Sequence, residues 1–174
     1  MRGVVNGQVV SVSDPDNQGR VQVSLPFMGG QNESYWAPVA TLMSGGGRGS
    51  WFMPEVGDEV LVAFNQDDVA HPFIIGFLWN GKDNPPETDP KNRVILTPGG
   101  HTIRFEDGVQ SPKVVIRSKK QSAITFTDGP GPTKIEISSS GGLTIELDDA
   151  GKGSIKLLGG GRIFEMSDDM VRIS

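Results

Sequence analysis

Side chains equipped for chemistry are few and scattered in this 174-residue chain. There is no cysteine, which excludes thiol nucleophiles, thiolate metal sites and disulfide staples. The two histidines are far apart: His71 precedes Pro72 in a turn, and His101 opens the run HTIRF. No shared site is expected from them, and His101 reads as a corner residue. Carboxylates recur as the dipeptides Asp67-Asp68, Asp148-Asp149 and Asp168-Asp169. Each lies between runs of strand character, where a carboxylate bonds nearby backbone amides. The loop DDAGKG (148–153) offers too few spaced oxygens for calcium. SGGGRGS (44–50) has the glycines of a phosphate loop but not the Gly-Lys-Ser/Thr ending that sets a lysine on phosphate. Asn32-Glu33-Ser34 fits a glycosylation sequon without a secretion signal beside it. No catalytic, cofactor or metal residue is assigned, and the expectation is a protein that is not an enzyme.

What remains for the chain to do is set by its strands. Apolar residues make up 36 % of it, with 24 Gly and 12 Pro, a composition that turns often and supports few long helices. No run approaches the roughly 18 apolar residues of a membrane span. The start MRGVVNGQVV has no apolar signal core, so manufacture in the cytoplasm is expected, with any export as part of something larger. Charge divides unevenly: residues 1–90 hold 4 Lys/Arg against 11 Asp/Glu, and residues 91–174 hold 12 against 10. That asymmetry and the Pro-rich stretch NGKDNPPETDPKN (80–92) mark a boundary, since adjacent prolines stop a strand ladder and charge keeps the stretch solvated.

The first part reads as five strands, from VVNGQVVSV (4–12), RVQVSLPF (20–27), YWAPVATLM (35–43), WFMPEVGDEVLVAFN (51–65) and FIIGFLWN (73–80). Short antiparallel strands in this number most economically close as an OB-type barrel, which removes exposed edges. Such barrels often read nucleic acid, using a basic groove and aromatic platforms. Aromatics are present at Trp36, Trp51, Phe52, Phe64, Phe73, Phe77 and Trp79. The basic groove is not: four cations against eleven acids repel a polyanion. These aromatics are therefore expected in the core and between subunits, and FIIGF is expected to be buried throughout.

The order of parts in this region resembles the OB domain of contractile-injection spike proteins: contractile phage tails, the VgrG proteins of type VI secretion, and extracellular contractile injection systems. The resemblance rests on a Leu-Pro-aromatic strand end (25–27), Tyr-Trp-Ala (35–37), Gly-Arg-Gly (47–49) and Pro-Glu-Val-Gly-Asp-Glu-Val (54–60). Pro-Phe-Ile-Ile-Gly (72–76) and Leu-Trp-Asn-Gly (78–81) complete it. The expected organisation is an OB-fold barrel over residues 1–82, a Pro-rich linker over 83–92 and a β-helical spike over 93–174.

From residue 93 onward there are nine strand signals: RVILT, HTIRFED, KVVIRSK, AITFTD, TKIEIS, LTIELDD, GSIKLLG, RIFEMSD and MVRIS. In the middle of the run Ile135, Ile137, Ile145, Leu147, Ile155 and Leu157 alternate with polar or charged residues, giving one aliphatic and one polar face. A repeat of ten residues supplies one strand and one corner, too little to surround its own core. Three copies around an axis would succeed, with those six residues as trimer core. The chain is thus expected to be all-β, an OB barrel followed by an intertwined triple-stranded β-helix (a β-prism) in a homotrimer, with strands pairing across chains. The resemblance implies the same trimer. Each rung would bury two or three aliphatic side chains, contributing roughly 4–7 kcal/mol before chain entropy. Slow unfolding of the assembly is expected.

The resemblance implies the rest. A blunt end at Met170, Val171, Arg172, Ile173 and Ser174 is expected to contact a PAAR-type tip protein. Hub and tube proteins are expected at the N-terminal end, and a target membrane transiently. Some phage spikes carry His-x-His motifs that hold iron on the axis; this sequence has none. The missing hub regions of larger relatives imply a separate hub protein, which favours phage or extracellular particles over type VI systems. The function expected is a structural needle that pierces a membrane, without cofactor. The alternatives are an OB-fold binder of nucleic acid or carbohydrate, or a cell-wall-degrading baseplate enzyme. Salt-dependent oligonucleotide binding or carboxylate-dependent turnover would mark those.

Overall fold

The computed structural model describes residues 3–28, 33–108 and 110–174, so Asn32 of the sequon lies outside the described residues. The chain divides into two compact units, Met1–Asn84 and Pro85–Ser174. Among the described residues no helix is long and apolar enough to cross a membrane.

The first unit contains β1 (Val5–Ser11), β2 (Arg20–Ser24), β3 (Ala37–Pro38), β4 (Ser44–Gly45), β5 (Arg48–Gly49), β6 (Glu59–Phe64) and β7 (Pro72–Phe77). Five of them form a sheet in the order β3-β2-β1-β6-β7. A parallel bridge from Val39 to Ile74, with Ala40 N–H donating to Ile74 O at 2.8 Å, brings the first edge onto the last. The result is a nearly closed barrel of OB type, whose edges are removed by that contact.

Strict alternation fills the barrel. Val21 and Val23 of β2, Val60 and Val62 of β6 and Val9 of β1 point inward with Leu25, Ala37 and Ile74, and none is more than 1 % exposed. The one polar residue buried as a whole among the described residues, Ser34, is satisfied: its hydroxyl accepts from Val23 N–H (3.0 Å) and donates to Tyr35 O (2.7 Å). Glu55 N–H donates to the Asp58 carboxylate at 2.8 Å, fixing the turn before β6. Leu61 pairs with Gly76 but Val62 pairs with Ile74, so Ile75 is an extra residue and β7 carries a bulge there.

Three expectations are corrected here. The third strand is two residues long, because Pro38 removes a donor and the chain then leaves for the β4–β5 hairpin. The aromatics are not the core: Trp51, Phe52, Phe73, Phe77 and Trp79 are exposed, and of the seven only Phe64 packs against the buried cluster. FIIGF alternates, with Ile74 buried and Phe73, Ile75 and Phe77 outside. Small aliphatics suit so narrow a barrel better than rings do.

The second unit contains β8 (Asn92–Leu96), β9 (Thr102–Glu106), β10 (Lys113–Arg117), β11 (Ala123–Thr127), β12 (Lys134–Ser138), β13 (Thr144–Asp148), β14 (Ser154–Gly159), β15 (Arg162–Ser167) and β16 (Met170–Ile173). All nine form one sheet in sequence order, and every pairing is antiparallel between consecutive strands. The ladder is therefore completed within one chain, as a meander. Pairing across chains, expected from the sequence, is not needed to satisfy these backbone groups.

Candidate functional site

Each five-residue rung of the meander sets two side chains on one face and three on the other, as the strand period of two requires. Register then stacks them into columns. One column runs Ile95, Ile103, Ile116, Ile124, Ile137, Ile145, Leu157, Phe164, Ile173, each opposite the next. The second runs Arg93, Phe105, Val114, Phe126, Ile135, Leu147, Ile155, Met166, Val171. Apart from Arg93 both columns are wholly apolar, and they lie side by side on one face.

Among the described residues of this unit nothing covers that face. Ile137, Ile145, Leu147 and Leu157 are 41, 40, 38 and 43 % exposed, and Ile173 is 76 % exposed. Among the described residues of this unit only Val115, on the opposite face, is a buried hydrophobic. A contiguous apolar surface of this extent marks an interaction site.

The opposite face is a lattice of charge. Its middle column holds Arg104, Val115, Thr125, Glu136, Glu146, Lys156, Glu165 and Arg172 in turn. Glu136 and Glu146 oppose each other directly, and Lys134 reaches both, at 3.9 and 2.7 Å. The Glu146 hydrogen bond is the main cause that raises the lysine's pKa. Lys156 pairs with Glu165 at 3.3 Å, and Arg104 with Glu87 at 2.5 Å and Glu106 at 2.9 Å. Glu87 also accepts from the backbone N–H groups of Asp89 and Thr88 and from Asn92, which with the arginine hold its pKa at about 2. Exposed pairs of this kind keep the face wet and ordered and add little stability singly.

All six residues assigned to a trimer core fall on the two apolar columns, brought together by register. Of the five assigned to a tip contact, Val171 and Ile173 close the columns, while Met170 and Arg172 stand on the charged face opposite Ser167 and Glu165. Ser174 pairs with Ile163 through two backbone hydrogen bonds of 2.8 and 2.9 Å. The outer edge of β16 has no strand partner among the described residues. The columns also contain residues not singled out from the sequence, including Ile103, Phe105, Ile116, Phe126, Phe164 and Met166. The same alternation in HTIRF, KVVIR and AITFT carries their signal.

Four of the paired carboxylates bond within or between turns. Asp68 accepts from Ala70 N–H and from the His71 ring at 2.8 Å, and these bonds lower its pKa. Asp148 accepts from Ala150 N–H, Asp149 from the Thr133 hydroxyl, and Asp168 pairs with Lys152. Among the described residues no three His, Cys, Asp or Glu side chains gather as a metal site. Arg20 is clamped by Asp14 at 2.7 Å and Asp16 at 2.6 Å. The Arg20 guanidinium in turn holds the Asp14 carboxyl far below its usual range.

The barrel has known counterparts. Residues 5–79 match the family described as the type VI secretion system/phage-baseplate injector OB domain, a span from the first barrel strand to just past the last. Among curated proteins the chain is similar to the type VI secretion system spike protein VgrG3 of Vibrio cholerae serotype O1. The two are 30 % identical over 117 residues, which cover 60 % of this chain and 12 % of that protein. VgrG1c of Pseudomonas aeruginosa is 32 % identical over 124 residues, 63 % of this chain and 17 % of that protein. Another relative, from V. cholerae, is named the actin cross-linking toxin VgrG1; it is 27 % identical over 60 % of this chain and 11 % of its own length. The chain thus spans less than a fifth of the length of these curated relatives. The stretches shared with these relatives, 60 to 63 % of the chain, are longer than the OB-domain match at 5–79, and the likeness is to proteins named VgrG.

Proposed function

We propose that the chain is a structural spike of a contractile injection apparatus, and that it works as a homotrimer without catalysis. The uncovered pair of apolar columns carries this reading. One sheet with one oily face and one charged face is half of a core, and three copies arranged as the walls of a triangular prism would bury every column on an axis. Ile135, Ile137, Ile145, Leu147, Ile155 and Leu157 form the middle of that axis. Charged residues such as Lys134, Glu146, Lys156 and Glu165 face water. Similarity to proteins named as type VI secretion spikes supports the same assignment.

In this reading the parts at 1–82, 83–92 and 93–174 serve as barrel, linker and spike. The barrel end meets hub or tube proteins. Met170–Ser174 meet a PAAR-type tip protein, which would cover the free edge of β16 and the bare ends of the columns at Val171 and Ile173. A point driven through a membrane by a contracting sheath needs stiffness and a narrow section, and stacked antiparallel rungs supply both.

Light scattering of the purified chain at micromolar concentration tests the assembly. A mass of three chains is expected, rising by one tip protein when a PAAR-type partner is added. A single-chain mass with an intact β spectrum would overturn it. An oligonucleotide or glycan that bound tightly, or turnover abolished by one carboxylate change, would favour the alternatives.

A further inference from the structure

Two Asn-Gly dipeptides occur in the chain, Asn6-Gly7 and Asn80-Gly81, and the fold treats them in opposite ways. Asn-Gly is the dipeptide most prone to cyclise, because glycine offers no side chain to hinder attack of its backbone nitrogen on the asparagine amide carbon. That attack needs a free nitrogen and a backbone able to swing toward the side chain.

Gly7 has neither. It sits within β1, paired with Val60 of β6, and is buried. A Cβ built on it would meet Leu25, Val62 and the Ser24 carbonyl, each at 3.2 Å. Asn6 donates from its amide to the Glu59 carboxylate at 2.9 Å, so what sets this site apart is the glycine and its pairing.

Gly81 has both. It is exposed, at φ +82°, with open space around it. Its N–H donates to no described residue. The Asn80 side chain is meanwhile polarised by its own turn. Its Oδ1 accepts from the backbone N–H groups of Lys82 (3.0 Å) and Asp83 (2.9 Å). Its Nδ2 donates to the Asp83 carboxylate at 2.9 Å. Two donors on the amide oxygen stabilise the negative charge that develops there when a nucleophile adds, the same electrostatic arrangement as an oxyanion hole. The carboxylate lies against the nitrogen that must leave.

We propose that Asn80 is a self-modifying site, which deamidates in the folded protein while Asn6 is preserved. Gly81 N loses its proton to solvent base and bonds to Asn80 Cγ. The Cγ–Nδ2 bond breaks and ammonia departs, taking a proton, to leave a five-membered imide. Water then opens the imide at either carbonyl, giving aspartate or isoaspartate at position 80. The new carboxylate faces Asp83 with no donor between them, so the turn that ends the barrel unit, just before the boundary at Asn84, loses its closing bond. The modification therefore alters charge and backbone path where the chain leaves the barrel.

The test is incubation of the full chain at mildly alkaline pH, with peptide mapping to follow the amide-to-acid mass gain at each asparagine. Folded protein is expected to convert at Asn80 at least roughly tenfold faster than at Asn6, and the same chain in concentrated urea to convert at both sites at similar rates. Equal rates at the two sites in the folded protein would overturn the proposal. So would an Asn80 that stays intact when folded yet converts in urea, since the turn would then be a protector.

Discussion

The barrel and the meander solve the two halves of the strand problem in different measure. Both complete their backbone ladders within one chain. In the barrel the sheet also closes on itself, and eight side chains from Val9 to Ile74 are all but sealed from water. In the meander the ladder is as regular, yet only Val115 is buried among its described hydrophobics. Hydrogen bonding is thus no guide to where a fold ends. The burial of apolar surface is the dominant favourable term in folding, and in the second unit that term is not collected by one chain.

Core substitutions in the two units should therefore act in distinct ways. Ile145→Asp, between Ile137 and Leu157, would place an unpaired charge in each wall of the proposed prism, at a cost of about 3–5 kcal/mol per copy. The expected outcome is loss of the three-chain mass in light scattering, with the barrel still folded. Ile74→Ala, in the sealed barrel, is expected to cost about 2–5 kcal/mol and to lower the first thermal transition without changing the mass of the assembly. If both substitutions shifted mass, barrel and meander would not be energetically separable.

Gly159→Val sharpens the contrast at one wall. Leu143 lies directly over Gly159, in the space a Cβ would take. Overpacking there is expected to cost about 1–3 kcal/mol, read as an earlier unfolding of the second unit only. The smallest effect is on acid stability. Glu87 is depressed from 4.5 to about 2, so its contribution is complete above pH 4.5 and fades as pH falls toward about 2. Asp14 is depressed as well, by Arg20, so its contribution is present above its ordinary 3.8 and fades only at lower pH. A denaturant series between pH 5 and 2 is expected to show the second unit weakening first, and Glu87→Gln to flatten that slope.

Much of this was legible in the residues. The strands β9, β12 and β13 alternate cleanly, Gly, Ser and Asp punctuate every turn, and the six central aliphatics share one face as period two demands. The barrel strands at Arg20–Ser24 and Glu59–Phe64 were equally plain. YWAPVATLM misled because its alternation is strand-like while Pro38 and the glycines after Met43 forbid a long ladder. The aromatics misled because burial depends on the space available, and a barrel lined by valines has no room for Trp51 or Trp79. Continuity of the columns could not be read from any single strand. It depends on turns as unlike as Ser-Asp-Asp and Ser-Ser-Ser-Gly-Gly returning the chain in the same register.

The meander's strict neighbour-to-neighbour pairing has an evolutionary corollary. A strand pair can be duplicated or lost without changing the pairing direction of the remaining strands, because the next strand re-enters in the same direction and with the same face presented. The length of the sheet across its strands can therefore change in increments of two strands, about 4.8 Å each. Selection on such a molecule can adjust that length by gene slippage alone, like adding links to a measuring chain.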